Sequence, residues 1–128
     1  MGMLEGQSII VTGAGRGIGR DFAIAFAQQG ASVVVNDPGV SETGAGHDDG
    51  PAQQVVNEIC AAGGKAVANT DSVAEWASAN RIIQCATDSF GRLDAVVNNA
   101  GILRDRIFHN MSVDDWKAVI DVHLNGTF

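Results

Sequence analysis

The sequence contains no tyrosine, so no phenolic hydroxyl is available as a proton donor or acceptor. It has only two cysteines, Cys60 and Cys85, and both fall in helical patterns. They are expected to be buried free thiols of a cytosolic-type protein. Neither these cysteines nor His47, His109 and His123 have metal-ligand spacing, so no metal site is expected. Basic residues are scarce: eight Lys and Arg stand against fifteen Asp and Glu, a formal net charge of −7. Without a basic stripe, nucleic acid is excluded as a partner. No apolar run is long enough to span a membrane. No basic region followed by an apolar stretch opens the chain, so no signal peptide is expected. The location implied is cytoplasmic. Internal repeats, linkers and low-complexity segments are also missing.

What is present is a chain of 128 residues, 45% hydrophobic and 18% charged, enough for one domain with a real core. It is organised around Thr12 to Gly19, read as Thr-Gly-Ala-Gly-Arg-Gly-Ile-Gly. An apolar run, Ser8 to Val11, precedes this string, and a helical pattern from Gly17 to Gln29 follows it. A strand, a glycine turn and a helix in that order make a phosphate cradle. Gly13, Gly17 and Gly19 let the backbone turn tightly and let a pyrophosphate come close. The first-turn N–H groups of the helix, helped by Arg16 or Arg20, would hold the anion against the acidic background.

Ile18, Phe22, Ala25, Phe26 and Gln29 give the first helix its stripe, with Ala23 and Ala27 beside them and Gly30 as its stop. Ser32 to Asn36 is a second buried strand, and Asp37 stands at its tip before Pro38-Gly39. Asp37 lies 20 positions after Gly17. An acid at that distance accepts hydrogen bonds from the adenosine ribose hydroxyls and repels a 2′-phosphate, which favours NAD over NADP. A plain turn aspartate before proline is the other reading. Pro38 to Gly50 is expected to be a solvated loop, although Glu42, His47, Asp48 and Asp49 make a metal site conceivable. Pro51 to Ala62 is a helix with Ala52, Val55, Val56 and Ile59 inside, and Lys65 to Asn69 a third strand.

Ser72 and Glu75 fit a capping box. The helix that follows has Val73, Trp76, Asn80, Ile83, Thr87 and Phe90 as its stripe, and Gly91 closes it. Asp94 to Asn98 is the fourth strand, running into Asn98-Asn99-Ala100-Gly101. In the doubly wound order the first and fourth strands are neighbours, and the dinucleotide sits in the crevice between them. Asn98 and Asn99 would then meet the cofactor riboses; an asparagine-rich turn is the alternative. Ser112 caps a last helix, with Val113, Trp116, Ile120, Leu124 and Thr127 on its inner face.

Thr12 to Gly19, Asp37, Asp71-Ser72-Val73 and Asn98 to Gly101 together resemble the short-chain dehydrogenase/reductase family, over the whole chain. Val35-Asn36-Asp37, Lys65 to Asn69, Gly101 to Arg106 and Val122-His123-Leu124 resemble its (3R)-hydroxyacyl-CoA dehydrogenase domains, as in peroxisomal multifunctional enzymes of type 2 and bacterial relatives. The resemblance implies NAD contacts at Ile18, Asp37, Ser72, Val73 and Asn99. It implies a secondary alcohol or ketone as substrate, such as a hydroxyacyl thioester or a steroid. The candidate cofactor set is therefore Gly13, Gly15, Arg16, Gly17, Ile18, Gly19, Asp37, Asp71, Ser72, Val73, Asn98, Asn99, Ala100 and Gly101. In that family a serine and a Tyr-x-x-x-Lys beyond the fifth strand orient the carbonyl and move its proton. With no tyrosine here, no catalytic residue is assigned. His123 stands where the family often has an asparagine, and is read as a helix-face residue, with a catalytic role as the weaker alternative.

The expectation is an NAD-binding half of a doubly wound parallel α/β sheet (Rossmann) over residues 1–128. It would be truncated after the fourth strand and its helix, and inactive alone. A non-catalytic nucleotide-binding or sensor module is the alternative. With later strands missing, the fourth strand's edge and the last helix's inner face would be bare, so a homo-oligomer is expected.

Overall fold

The computed structural model describes residues 2–39 and 50–128; Glu42, His47, Asp48 and Asp49 lie outside the described residues. Four parallel strands form one sheet: β1 (Ser8–Thr12), β2 (Ser32–Asn36), β3 (Lys65–Asn69) and β4 (Ala95–Val97), in the order β3-β2-β1-β4. The registers Ile10↔Val34 and Ile10↔Val96 place the three apolar runs side by side.

Side chains alternate across the sheet, so consecutive apolar residues serve two cores. On one face Ile9, Val11, Val33 and Val35 meet Ala23 of α1 (Gly17–Gln28) and Ala52, Val55, Val56 and Ile59 of α2 (Gly50–Ala61). On the other face Ile10 and Val34 pack against Ile82 and Ala86 of α3 (Trp76–Phe90). Each Val or Ile so buried contributes about 1.5–3 kcal/mol. Arg20 and Glu58 form an ion pair joining α1 to α2.

Several helix faces differ from the sequence reading. In α1 the buried positions are Gly19 and Ala23, whereas Ile18 and Phe22 are exposed. Small residues let this helix approach the sheet, and the bulky ones turn outward. In α3 the buried face is Ser78, Ile82 and Ala86; Trp76 is 71% exposed and stacks on Phe128 at 6.1 Å. The capping box does not form: α3 starts after Glu75 without a side-chain cap, and Ser72 Oγ instead accepts from the Ala74 N–H at 3.1 Å. Gly91 closes α3 in the left-handed region, as expected.

Both thiols are free, but Cys60 is exposed and Cys85 half-buried, contrary to expectation. Cys60 follows Ile59 and so lies away from the face that α2 buries. The last helix, α4 (Val113–Ile120), is capped by Ser112, whose Oγ accepts from the Asp115 N–H at 3.0 Å. It continues as a π-turn over Asp121–Asn125. Val113, Trp116 and Leu124 of its expected inner face are exposed. The π-turn breaks the 3.6-residue period at Leu124, and among the described residues β4 is an edge strand with no further strand beyond it to cover those side chains. Among the described residues no helix is long and apolar enough to cross a membrane.

Candidate functional site

The site forms where β1 and β4 end side by side. Thr12 is the pin. Its Oγ1 accepts from the N–H groups of Asn99 (3.1 Å) and Ala100 (3.0 Å) and donates to the Val97 carbonyl (3.3 Å). The Asn99 amide donates back to the carbonyls of Thr12 (3.0 Å) and Gly13 (3.2 Å). The glycine turn and the asparagine turn are thereby one rigid unit.

Within that unit the glycines have different tasks. A Cβ at Gly13 would lie 2.9 Å from Ala100 Cα, and one at Gly19 would collide with the Asn99 side chain and the Gly13 carbonyl. These two let the glycine turn and the asparagine turn pack together, and Gly13 also lies on the cleft wall. Gly15 is wedged: a Cβ there would lie 2.6 Å from Asp37 Oδ2 and 2.8 Å from Pro51 Cβ. Only Gly17, at φ +58°, faces open space within the turn. It opens α1, whose Ncap residue Arg16 makes no side-chain cap and whose first turn carries no acid. The Arg16 side chain therefore does not cap the first N–H groups, and the helix dipole favours an anion at that end.

Asp37 is held at the tip of β2, 8% exposed. Its Oδ2 accepts from the Gly15 N–H at 3.0 Å and its Oδ1 from the Gly39 N–H at 2.8 Å. The Ala14 N–H goes to the Asn36 carbonyl at 2.9 Å. So the N–H groups of residues 14 and 15 face β2, and the anion-facing donors begin further along, at the helix start. A carboxylate has about four lone-pair sites, which leaves Asp37 acceptor capacity for hydroxyl groups.

A cleft of about 640 Å³ opens between these parts. Gly13, Arg16, Gly17, Asp37, Ser72, Val73, Asn99, Ala100 and Gly101 line it, so these nine candidates are brought together. Gly15, Ile18, Gly19 and Asp71 are not on its wall, and Asn98 lines a separate groove beside β4. The sequence reading missed Asn36, Thr70, Ile102 and Arg104, and Ala118, Asp121 and Val122 of α4 and its π-turn. The last three recur at spacings of three and four, a pattern that could have marked a second face of that helix.

His123 is not on the cleft wall, but it bonds to Ile102, which is. Its Nε2 lies 3.1 Å from the Ile102 N and 2.9 Å from the Ile102 O, and its ring lies over Gly101. Arg104 donates to Asp115 at 3.1 Å, and this hydrogen bond, then Ser112, holds the Asp115 carboxyl below the usual carboxylate range. Among the described residues no cluster of three His, Cys, Asp or Glu forms a metal site.

A family model described as short chain dehydrogenase matches residues 7–128. The chain is 51% identical over 124 residues to the peroxisomal multifunctional enzyme type 2 of Mus musculus, covering 97% of this chain and 16% of that one. It superposes with a TM-score of 0.88 on a short chain dehydrogenase from Mycobacterium avium, at 54% identity over 98% of this chain and 43% of that one. A 7α-hydroxysteroid dehydrogenase complexed with NADH and 7-oxo glycochenodeoxycholic acid gives 0.84 at 33% identity, covering 96% and 44%. The chain thus spans less than half the length of each. From residue 7 to residue 128, the chain belongs to the short-chain dehydrogenase family.

Proposed function

We propose that the cleft holds NAD, with the pyrophosphate at Gly17 and the start of α1 and the adenosine ribose on Asp37. The observation that carries this reading is the Asp37–Gly15 hydrogen bond. It fixes a buried acid at the tip of β2 against the glycine turn, at Gly15, two residues before the open position at Gly17. The carboxylate disfavours a 2′-phosphate by charge repulsion, so NADP binds less well. Ser72 and Val73 face the adenine end, and Asn99 to Gly101 the nicotinamide end. The NADH in the related steroid dehydrogenase supports a nicotinamide cofactor.

Once bound, the cofactor supplies a hydride acceptor or donor. In the longer family proteins the partner in that exchange is a secondary alcohol or ketone. The strings Gly101 to Arg106 and Val122 to Leu124 favour a hydroxyacyl thioester as substrate. No tyrosine is available here to move the alcohol proton, so the chain by itself binds without turning over. The same lack of tyrosine favours one second reading, a nucleotide-binding or sensor module. The bare edge at β4, where Val96 is 41% exposed, supports pairing with another copy of the chain, which sedimentation would read. The absence of a leader-like pattern in the sequence supports a cytoplasmic location, whereas the mouse relative is named as peroxisomal.

Fluorescence titration of NADH tests the binding reading, with saturable binding expected. Oxidation of a hydroxyacyl-CoA or hydroxysteroid by the pure 128-residue chain would contradict the inactivity.

A further inference from the structure

Asp71 was expected to touch the cofactor, yet Thr70, Ser72 and Val73 on either side of it line the cleft and Asp71 does not. Its carboxylate is occupied elsewhere. Oδ1 accepts from Arg81 Nε at 2.9 Å, and Oδ2 accepts from the Asn69 amide at 3.1 Å. Asn69 Oδ1 takes the Asp71 N–H at 2.9 Å, closing a tight turn just past β3. From below, the Asn36 amide, fully buried, donates to Asn69 Oδ1 (2.9 Å) and to the Asp71 carbonyl (2.8 Å). Arg81 is itself fixed at a second point, donating to Ser78 Oγ at 2.9 Å, and Ser78 is a buried residue of α3.

We propose that Asp71 serves the adenosine end of the cleft indirectly: gripped by Arg81 and Asn69, it fixes the turn that presents Ser72 and Val73. Arg81, on α3 and outside the cleft, is then a positioning residue of the site. The physical reason is redundancy of restraint. A turn flanking a ligand loses little entropy on binding if it is already held at both ends. Here a buried amide holds its start and a two-point arginine holds its side chain. Ser72 Oγ, accepting from the Ala74 N–H, continues the same restraint toward Val73. The proposal rests on reading the cleft as a dinucleotide site.

The test is a double-mutant cycle with Asp71→Asn and Arg81→Gln, read by titration of NADH and of AMP. Amide hydrogen exchange without ligand is the second readout. The Arg81 side chain is 60% exposed, so its replacement leaves folding intact, which a thermal midpoint checks. Each single variant is expected to weaken NADH and AMP by about two- to fivefold, the scale of an exposed ion pair. The double variant should be no weaker than either. Exchange at Ser72 to Ala74 should speed up in both variants, with Gly17 to Gly19 unchanged. Loss in Asp71→Asn but not in Arg81→Gln would mean that Asp71 touches the ligand directly, and would overturn the proposal. So would additive losses, or no loss at all. Failure of the unmodified chain to bind NADH would instead remove the dinucleotide reading, and this inference with it.

Discussion

Thr12 and Asn99, 87 positions apart, exchange two hydrogen bonds: the Asn99 N–H to Thr12 Oγ1 at 3.1 Å, and the Asn99 amide to the Thr12 carbonyl at 3.0 Å. This exchange sets the width of the crevice at the β1–β4 boundary. Replacing Thr12, 4% exposed, with valine leaves two N–H groups without their acceptor. Thr12→Val is expected to cost about 2–4 kcal/mol, counting one unsatisfied donor at each of residues 99 and 100. Thr12→Ser keeps the hydroxyl and should cost well under half of that. Urea unfolding of the two variants measures the difference. Equal stability of Thr12→Val and the parent would remove the pin.

The glycines separate ligand space from packing space. Gly17→Ala meets no neighbour, but places a side chain at φ +58°, a strain of about 1–2 kcal/mol. It should leave a folded chain whose NADH affinity drops at least about tenfold, because the new methyl faces the cradle. Gly19→Ala should act on the fold instead, lowering the thermal midpoint by driving Asn99 away from the turn. If Gly19→Ala keeps its midpoint, the close packing at that position is wrong.

The core and the turn respond differently to truncation. Ile10 is fully buried among Val34, Ile82 and Ala86, so Ile10→Ala should cost about 2–4 kcal/mol. Ile18 is 66% exposed, and Ile18→Ala should stay within about 0.5 kcal/mol. Denaturant midpoints distinguish them.

Acid should release the entry to β4. The Asp94 carboxyl is held below its usual value, first by its hydrogen bond with Arg92 and then by the Ser8 N–H. The Ser8 N–H donates to it at 2.8 Å. A carboxyl lowered on folding contributes stability above its unfolded value and loses it as pH falls through that value and below. The unfolded reference is 3.8. Asp94→Asn should therefore be less stable than the parent at neutral pH, with the gap closing as pH falls below about 4. A gap that stays constant down to pH 2 would contradict this.

The sheet was legible because its strands are short apolar runs, Ile9-Ile10-Val11 and Val33-Val34-Val35, buried on both faces. The place of the turn was legible too, since the glycines mark the passage from β1 to α1 and the acid 20 residues on stands at the tip of β2. Helix faces were not. The sequence reading put the bulky residues inside, Ile18 and Phe22 in α1 and Trp76 and Ile83 in α3. Packing chose Gly19 and Ala23, then Ser78, Ile82 and Ala86. Periodicity names two or three possible faces on such a helix, and only the partner surface picks one. The role of Asp71 was hidden for a similar reason, because a motif gives a residue's neighbours in sequence but not that Arg81, ten positions on, takes its carboxylate.

The most direct test is a ¹⁵N–¹H correlation spectrum of the unmodified chain titrated with NADH and, in parallel, with NADPH. A dinucleotide in the cleft should shift the amides of Gly17, Ile18, Asp37, Val73 and Asn99 with NADH at lower concentration than with NADPH. Shifts confined to residues away from the β1–β4 crevice, or none at millimolar NADH, would contradict the assignment.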